Sequence, residues 1–131
     1  MYKIIFYKNE KEISELENYI IELQRQNKNK NKNKNKNKNK NNRIKLSKIV
    51  AYIDQLSKSG LSLGEPYIKY LESEIWELRP LRDRIFFSYI DKDTFILLNH
   101  YMKQTQKTPQ REIERAKRLL KEYKERNDLN G

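Results

Sequence analysis

The apolar positions of this chain change their period twice. Residues 2–7, YKIIFY, are β-branched and aromatic and predict a short first strand. From about Glu10 to Gln26, Ile13, Leu16, Ile20 and Leu23 recur at three- and four-residue intervals, the spacing of an amphipathic helix. A second helix is predicted from about Arg43 to Lys58, with Leu46, Ile49, Val50, Ile53 and Leu56 along one stripe. Gly60, Gly64 and Pro66 stop the helical pattern. Beyond Pro66, YIKYL and IWELR read as strand with an interruption at Glu72–Glu74, RIFFSYI as a second strand and TFILLNHYM as a third. Asp91 to Asp93 supply a tight polar turn between the last two, so the three strands form an antiparallel meander. Thr108 and Pro109 suit an N-cap and first helical residue, opening a final helix over about 109–126. That helix carries Ile113, Ala116, Leu120 and Tyr123 on one face, although Arg111 stands where a strict capping box wants Glu or Gln. The fold expected is α+β, ordered β-α-α-β-β-β-α. A small antiparallel sheet packs on the two N-terminal helices, a C-terminal helix follows, and one sheet face stays open for a binding or catalytic surface.

Between the two predicted helices lies NKNKNKNKNKNKNKNN, residues 27–42. This two-residue repeat has seven lysines and no acid, offers no apolar face, and is expected to be disordered. It reads either as an electrostatic arm for RNA or ribosome phosphates, or as a slippage expansion that a surface connection tolerates at little entropic cost. The expected organisation is therefore a single domain over 1–131, interrupted by this repeat at the tip of a helical hairpin.

Charge changes that picture only regionally. The net charge is +11. Most of the excess is in the repeat, and the rest lies beyond Arg79. Such a surface favours nucleic acid or an acidic protein partner, although an AT-rich genome would also enrich lysine and asparagine. The chain has no cysteine and one histidine, which excludes disulfides, thiolate metal sites and a cysteine nucleophile. No apolar run suits a signal peptide or a membrane span, so a cytoplasmic protein with no membrane partner is expected.

The chemistry concentrates at one predicted end of the sheet. WELRPLRDR places Arg79, Arg82 and Arg84 around one connection, where Asp83 offsets only part of the charge. Guanidinium forks suit phosphate. The last strand ends in His100 and Tyr101, with Lys103 and Lys107 following in the lip KQTQKTP. Because this strand runs antiparallel to the one begun at Arg84, the two cationic groups should meet. Such a lip is either an ordinary solvated loop or the rim of an anion site. In the second case arginine and lysine would stabilise charge, and His100, Tyr101 or a lysine would move a proton during metal-free RNA cleavage. Trp76 reads as core.

GEPYIKYLESEIWELRPLRDRIFFSYI and FILLNHYMKQTQKTPQREIERAKRLLKEYKER resemble the HigB-like, phage Gp49-like branch of the RelE/ParE toxin superfamily. The resemblance is close over about residues 64–126 and looser before that, and the 27–42 repeat departs from the family's usual short connection. It implies a RelE-like fold without metal or cofactor. It also implies a type II toxin that cuts mRNA at the ribosomal A site and is neutralised by a HigA-like helix-turn-helix antitoxin, as a heterotetramer. Carried over by position, Arg79, Arg84 and Lys103 would contact the scissile phosphate, and His100 and Tyr101 are the acid–base candidates. Arg82, Lys107 and Arg111 would hold RNA or ribosomal RNA. Two other readings stay open: a ParE-like inhibitor of DNA gyrase, and a noncatalytic nucleic-acid-binding module.

Overall fold

The computed structural model describes residues 1–28 and 36–127. In chain order the elements are β1 (Lys3–Phe6), α1 (Glu15–Lys28), α2 (Lys36–Ser59), a short 3-10 turn (Gly60–Leu63), β2 (Ile68–Glu72), β3 (Ile75–Leu78), β4 (Asp83–Ile90), β5 (Thr94–Met102) and α3 (Gln110–Arg126). The class is α+β as expected. The strand count differs by one. The segment expected as one interrupted strand folds back as a β2–β3 hairpin, with Glu72 opposite Ile75 across a two-residue loop. Ser73 takes the left-handed conformation that this loop requires, at φ 54°. No glycine or asparagine marks the turn, which hides it in the sequence.

The sheet order is β1-β5-β4-β3-β2. β2 to β5 are antiparallel neighbours, but β1 lies parallel to β5, with Lys3 opposite Thr94 and Phe6 opposite Leu97. The sheet is therefore mixed. Only antiparallel strands can be joined by tight turns, and the helical hairpin after β1 frees it to pair in the other sense.

The expectation of an open face is corrected as well. Leu16, Leu23, Ile49 and Leu56 of α1 and α2 pack with Ile68, Leu78, Ile85, Phe87, Phe95 and Leu97 on one side. Ile113, Ala116, Leu119 and Leu120 of α3 pack with Ile75, Phe86, Ile90, Ile96 and Leu98 on the other. β4 and β5 are apolar at both parities; Phe86, Phe87, Ile96 and Leu97 are all fully buried. A strand buried on both faces reads as a continuous apolar run, and each such side chain favours folding by roughly 1.5–3 kcal/mol. Three layers satisfy that pattern and two cannot.

Helix ends follow local chemistry. α1 starts five residues later than expected because Ser14 caps it, its Oγ accepting from the Glu17 amide at 3.1 Å. Ile13 consequently falls outside the helix and is exposed. The repeat is not wholly irregular: α1 continues to Lys28 and α2 begins at Lys36. Lysine is a good helix former, and a helix nucleated by its amphipathic half propagates into such sequence. Asn42 donates to Gln26 at 2.6 Å and ties the two helices together there. Residues 29–35 of the repeat lie outside the described residues. No described helix is long and apolar enough to cross a membrane.

Candidate phosphate-binding site

The turn before β4 and the lip after β5 come together, as the antiparallel pairing requires. Asp83 lies opposite Met102, and Arg84 opposite Tyr101. The Lys103 amide donates to the Arg82 carbonyl at 2.7 Å, and the Arg82 guanidinium donates to the Lys103 carbonyl at 2.9 Å. Leu81, Arg82, Arg84, Lys103, Gln104, Thr105 and Gln106 line a groove of about 370 Å³. The turn closes with the Asp83 amide donating to Pro80, and exposed Leu81 holds a left-handed φ of 56°.

Beneath this groove the organising residue is Glu77, which the sequence reading passed over. Its side chain is 1% exposed. Oε1 lies 3.5 Å from Arg79 Nε and 3.9 Å from Arg84 Nε, and Oε2 accepts from the Thr108 hydroxyl at 3.0 Å. Arg84 also donates to the Leu81 and Asp83 carbonyls at 2.7 and 2.9 Å, so its fork is fixed. Burial, and then the neighbouring Arg79 charge, push the Arg84 guanidinium below its ordinary pKa. Thr108 is therefore not the N-cap of α3. Pro109 takes that position, without a side-chain cap bond, because the Thr108 hydroxyl is spent on Glu77. The available signal was parity: Glu77 and Arg79 share one strand face, and a charge at an inward position needs a partner.

Tyr101 belongs to the same side. It packs against the α3 cluster and stacks on Phe86 with ring centroids 5.6 Å apart. Burial raises its phenol pKa, the nearby Thr108 hydroxyl opposes the shift, and Glu77 adds to it. His100 lies on the opposite side of the sheet. It stacks on Tyr19 of α1 at 4.3 Å, among the residues that pack under α1 and α2. Burial pushes its pKa down against the attraction of Asp83. Asp83 itself is turned away from the arginine groove. Its Oδ1 accepts from Tyr19 at 3.0 Å and lies 3.9 Å from Lys45 Nζ. Burial raises its carboxyl pKa, with Lys45 opposing most strongly. Asp83 therefore neutralises the arginine cluster less than its place in RDR suggests.

The cause of the His100–Tyr101 exchange is a β-bulge. Phe87 pairs with Leu97 but Ile85 pairs with His100, so two residues, Leu98 and Asn99, stand opposite Phe86 alone. Strict alternation from Leu98 would carry His100 to the Arg84 side. The extra residue sends Tyr101 there instead.

Lys107 and Arg111 are exposed and stand apart from the groove lining. Among the described residues, Arg82, Lys103, Lys107 and Arg111 make no ion pair, so the groove and its rim carry positive charge beyond what Glu77 balances. No group of carboxylates or histidine that could hold a metal ion occurs among the described residues.

A family model described as phage derived protein Gp49-like (DUF891) matches residues 39–121. The matched stretch runs from the start of α2 through most of α3 and includes Glu77, the arginines and Lys103. None of the curated proteins compared matches the chain. A Gp49-like identity is compatible with a toxin of a toxin–antitoxin pair. With five strands between two helical layers and the match covering more than half its length, the chain belongs to the Gp49-like phage-derived protein family.

Proposed function

We propose that the protein is the toxin of a type II toxin–antitoxin pair and a metal-independent endoribonuclease that cuts mRNA on the ribosome. The observation that carries this reading is the groove of Arg82, Arg84 and Lys103 set over an Arg79–Glu77–Arg84 cluster. A scissile phosphate at this groove would lie among preorganised cationic donors, which stabilise developing charge without reorganising. The message's own 2′-hydroxyl gives its proton to solvent as its oxygen attacks phosphorus, the P–O2′ bond forms, and the P–O5′ bond breaks to leave a 2′,3′-cyclic phosphate and a 5′-hydroxyl. Arg79, Arg84 and Lys103 take up the charge of the five-coordinate intermediate. Tyr101 protonates the departing 5′-oxygen; its raised pKa keeps it in the acid form at neutral pH. His100, on the far side of the sheet, takes no part in this chemistry. Arg82, Lys107 and Arg111 hold flanking RNA. A helix-turn-helix antitoxin would silence the toxin by covering the groove or adding bulk beside it.

The test is a translation reaction on end-labelled mRNA, with cleavage sites mapped with and without ribosomes. Cuts that need translating ribosomes, and that fall at least about a hundredfold with Arg79→Ala, are expected from the loss of one charge-stabilising donor. Intact message in the wild-type reaction overturns the reading and leaves gyrase supercoiling as the next assay.

A further inference from the structure

Basic residues cover two helices of this protein, and acids offset part of the charge on α3. On α3, Arg115 pairs with Glu15, Lys117 with Glu72 and Lys124 with Glu74. On α2 the balance is different. Between Glu22 and Asp54 the chain contains no acid, while the seven repeat lysines, Arg43, Lys45 and Lys48 are all basic. Of these, Lys45 is turned inward to Asp83. Lys40, Arg43 and Lys48 are exposed, make no ion pair among the described residues, and line a groove of about 570 Å³ with Ile44 and Ser47. Like charges held on one helix face repel unless an anion lies along them.

The direction of α2 matters as much as its charge. Its C-terminal turn is anchored at the far end of the sheet, where the Tyr2 amide donates to the Ser57 carbonyl and Lys3 lies opposite Thr94. Lys45 meets Asp83 at the other end, between Arg82 and Arg84 in sequence. α2 continues from there to Lys36, away from that anchor, a rise of roughly 14 Å at the usual 1.5 Å per residue. The unneutralised residues of α2 therefore lie at the same end of the sheet as the arginine groove and lead outward from that end.

We propose that this face of α2, centred on Lys40, Arg43 and Lys48, is a docking surface for the phosphate backbone of RNA. It adds to the hold of the arginine groove, at the same end of the sheet, on its substrate without reading sequence, and in that respect it rests on the endoribonuclease reading. RNA fits better than an acidic protein because Ile44 is the one apolar side chain in the groove. Protein interfaces depend on buried aromatic and aliphatic anchors, whereas phosphate contacts need cations and polar donors. The RNA is the message itself, because the face lies at the same end of the sheet as the groove that would hold its scissile phosphate.

The experiment measures binding of the full chain to a labelled 2′-O-methyl oligonucleotide, which cannot be cleaved, as a single strand and as a duplex over a range of salt. Three proteins are compared: wild type, the combined variant Lys40→Gln, Arg43→Gln, Lys48→Gln, and Arg79→Ala. The triple variant is expected to bind at least about tenfold more weakly at ~100 mM salt. Its log K against log salt slope should shrink by about two on single strands, as three lost phosphate contacts require. All three positions are exposed, so the unfolding midpoint should stay unchanged. Tighter binding of the single strand, lost in the triple variant, is expected of a surface for the message; preference for the duplex through the same residues overturns that assignment in favour of structured RNA. Unchanged affinity and slope overturn the proposal. So does a polyglutamate peptide that binds as tightly as RNA and shows the same dependence on the three residues. A wild-type protein that binds RNA through these residues yet never cuts message would keep this surface and defeat the nuclease reading. A protein that cuts message while the triple variant binds normally would do the reverse.

Discussion

Glu77 is the residue on which the cationic cluster depends. A carboxylate 1% exposed between two guanidiniums is tolerable only because Arg79, Arg84 and Thr108 occupy its oxygens. Glu77→Gln keeps the size and removes the charge, leaving Arg84 buried at a side-chain exposure of 7% with no counter-ion at that oxygen. The expected loss is about 3 kcal/mol, read from the urea midpoint, because breaking a buried pair strands its partner. A midpoint within about 0.5 kcal/mol of wild type would mean that Arg84 is held by its carbonyl bonds alone. Arg84 has such bonds to Leu81 and Asp83, so the two outcomes separate cleanly.

At the scale of elements, the junction after α2 shows how one position can set the approach of a helix to a sheet. Gly60 turns the chain at φ 60°, and a Cβ built there would lie 2.6 Å from the Tyr2 ring. The same junction is tied by the Tyr2 amide to Ser57 and by the Ser57 hydroxyl to the Tyr2 carbonyl, both at 2.8 Å. Tyr2 in turn packs on Phe95 at 5.2 Å between ring centroids. Gly60→Ala therefore carries both a left-handed backbone penalty and a clash, and should destabilise the fold by more than about 1 kcal/mol in thermal or urea unfolding. Gly60 was legible as the stop of a helical period. Its contact with a residue near the start of the chain was not, because no local pattern encodes a separation of that length.

For the whole molecule, stability should depend on pH through groups buried on the α1–α2 side. His100 has a folded pKa below its ordinary 6.5, so the unfolded chain binds the proton more readily. Its contribution is complete above pH 6.5 and is lost as the pH falls through the folded value. Asp83 has the opposite sign. Its folded pKa is raised above 3.8, so stability falls as pH rises through that window. His100→Phe keeps a ring against Tyr19 while removing the titration. The variant should lose less stability than wild type between pH 7 and pH 5, measured as the change in urea midpoint. An identical change in both proteins would show that His100 titrates normally in the fold.

Read alone, the residues determined the α+β class, the three helices, the β4–β5 hairpin and the meeting of Arg82, Arg84 and Lys103. Each of these follows from periodicity or from antiparallel pairing, which are short-range rules. The hidden features were the β2–β3 turn at Ser73, the parallel seating of β1, the second helical layer and Glu77 as the partner of two arginines. The choice between His100 and Tyr101 belongs with them. One extra residue in β5 reverses which of the two lies beside Arg84, and a bulge is a property of two strands in register. The sequence contained both candidates, and only the packed sheet could choose between their faces.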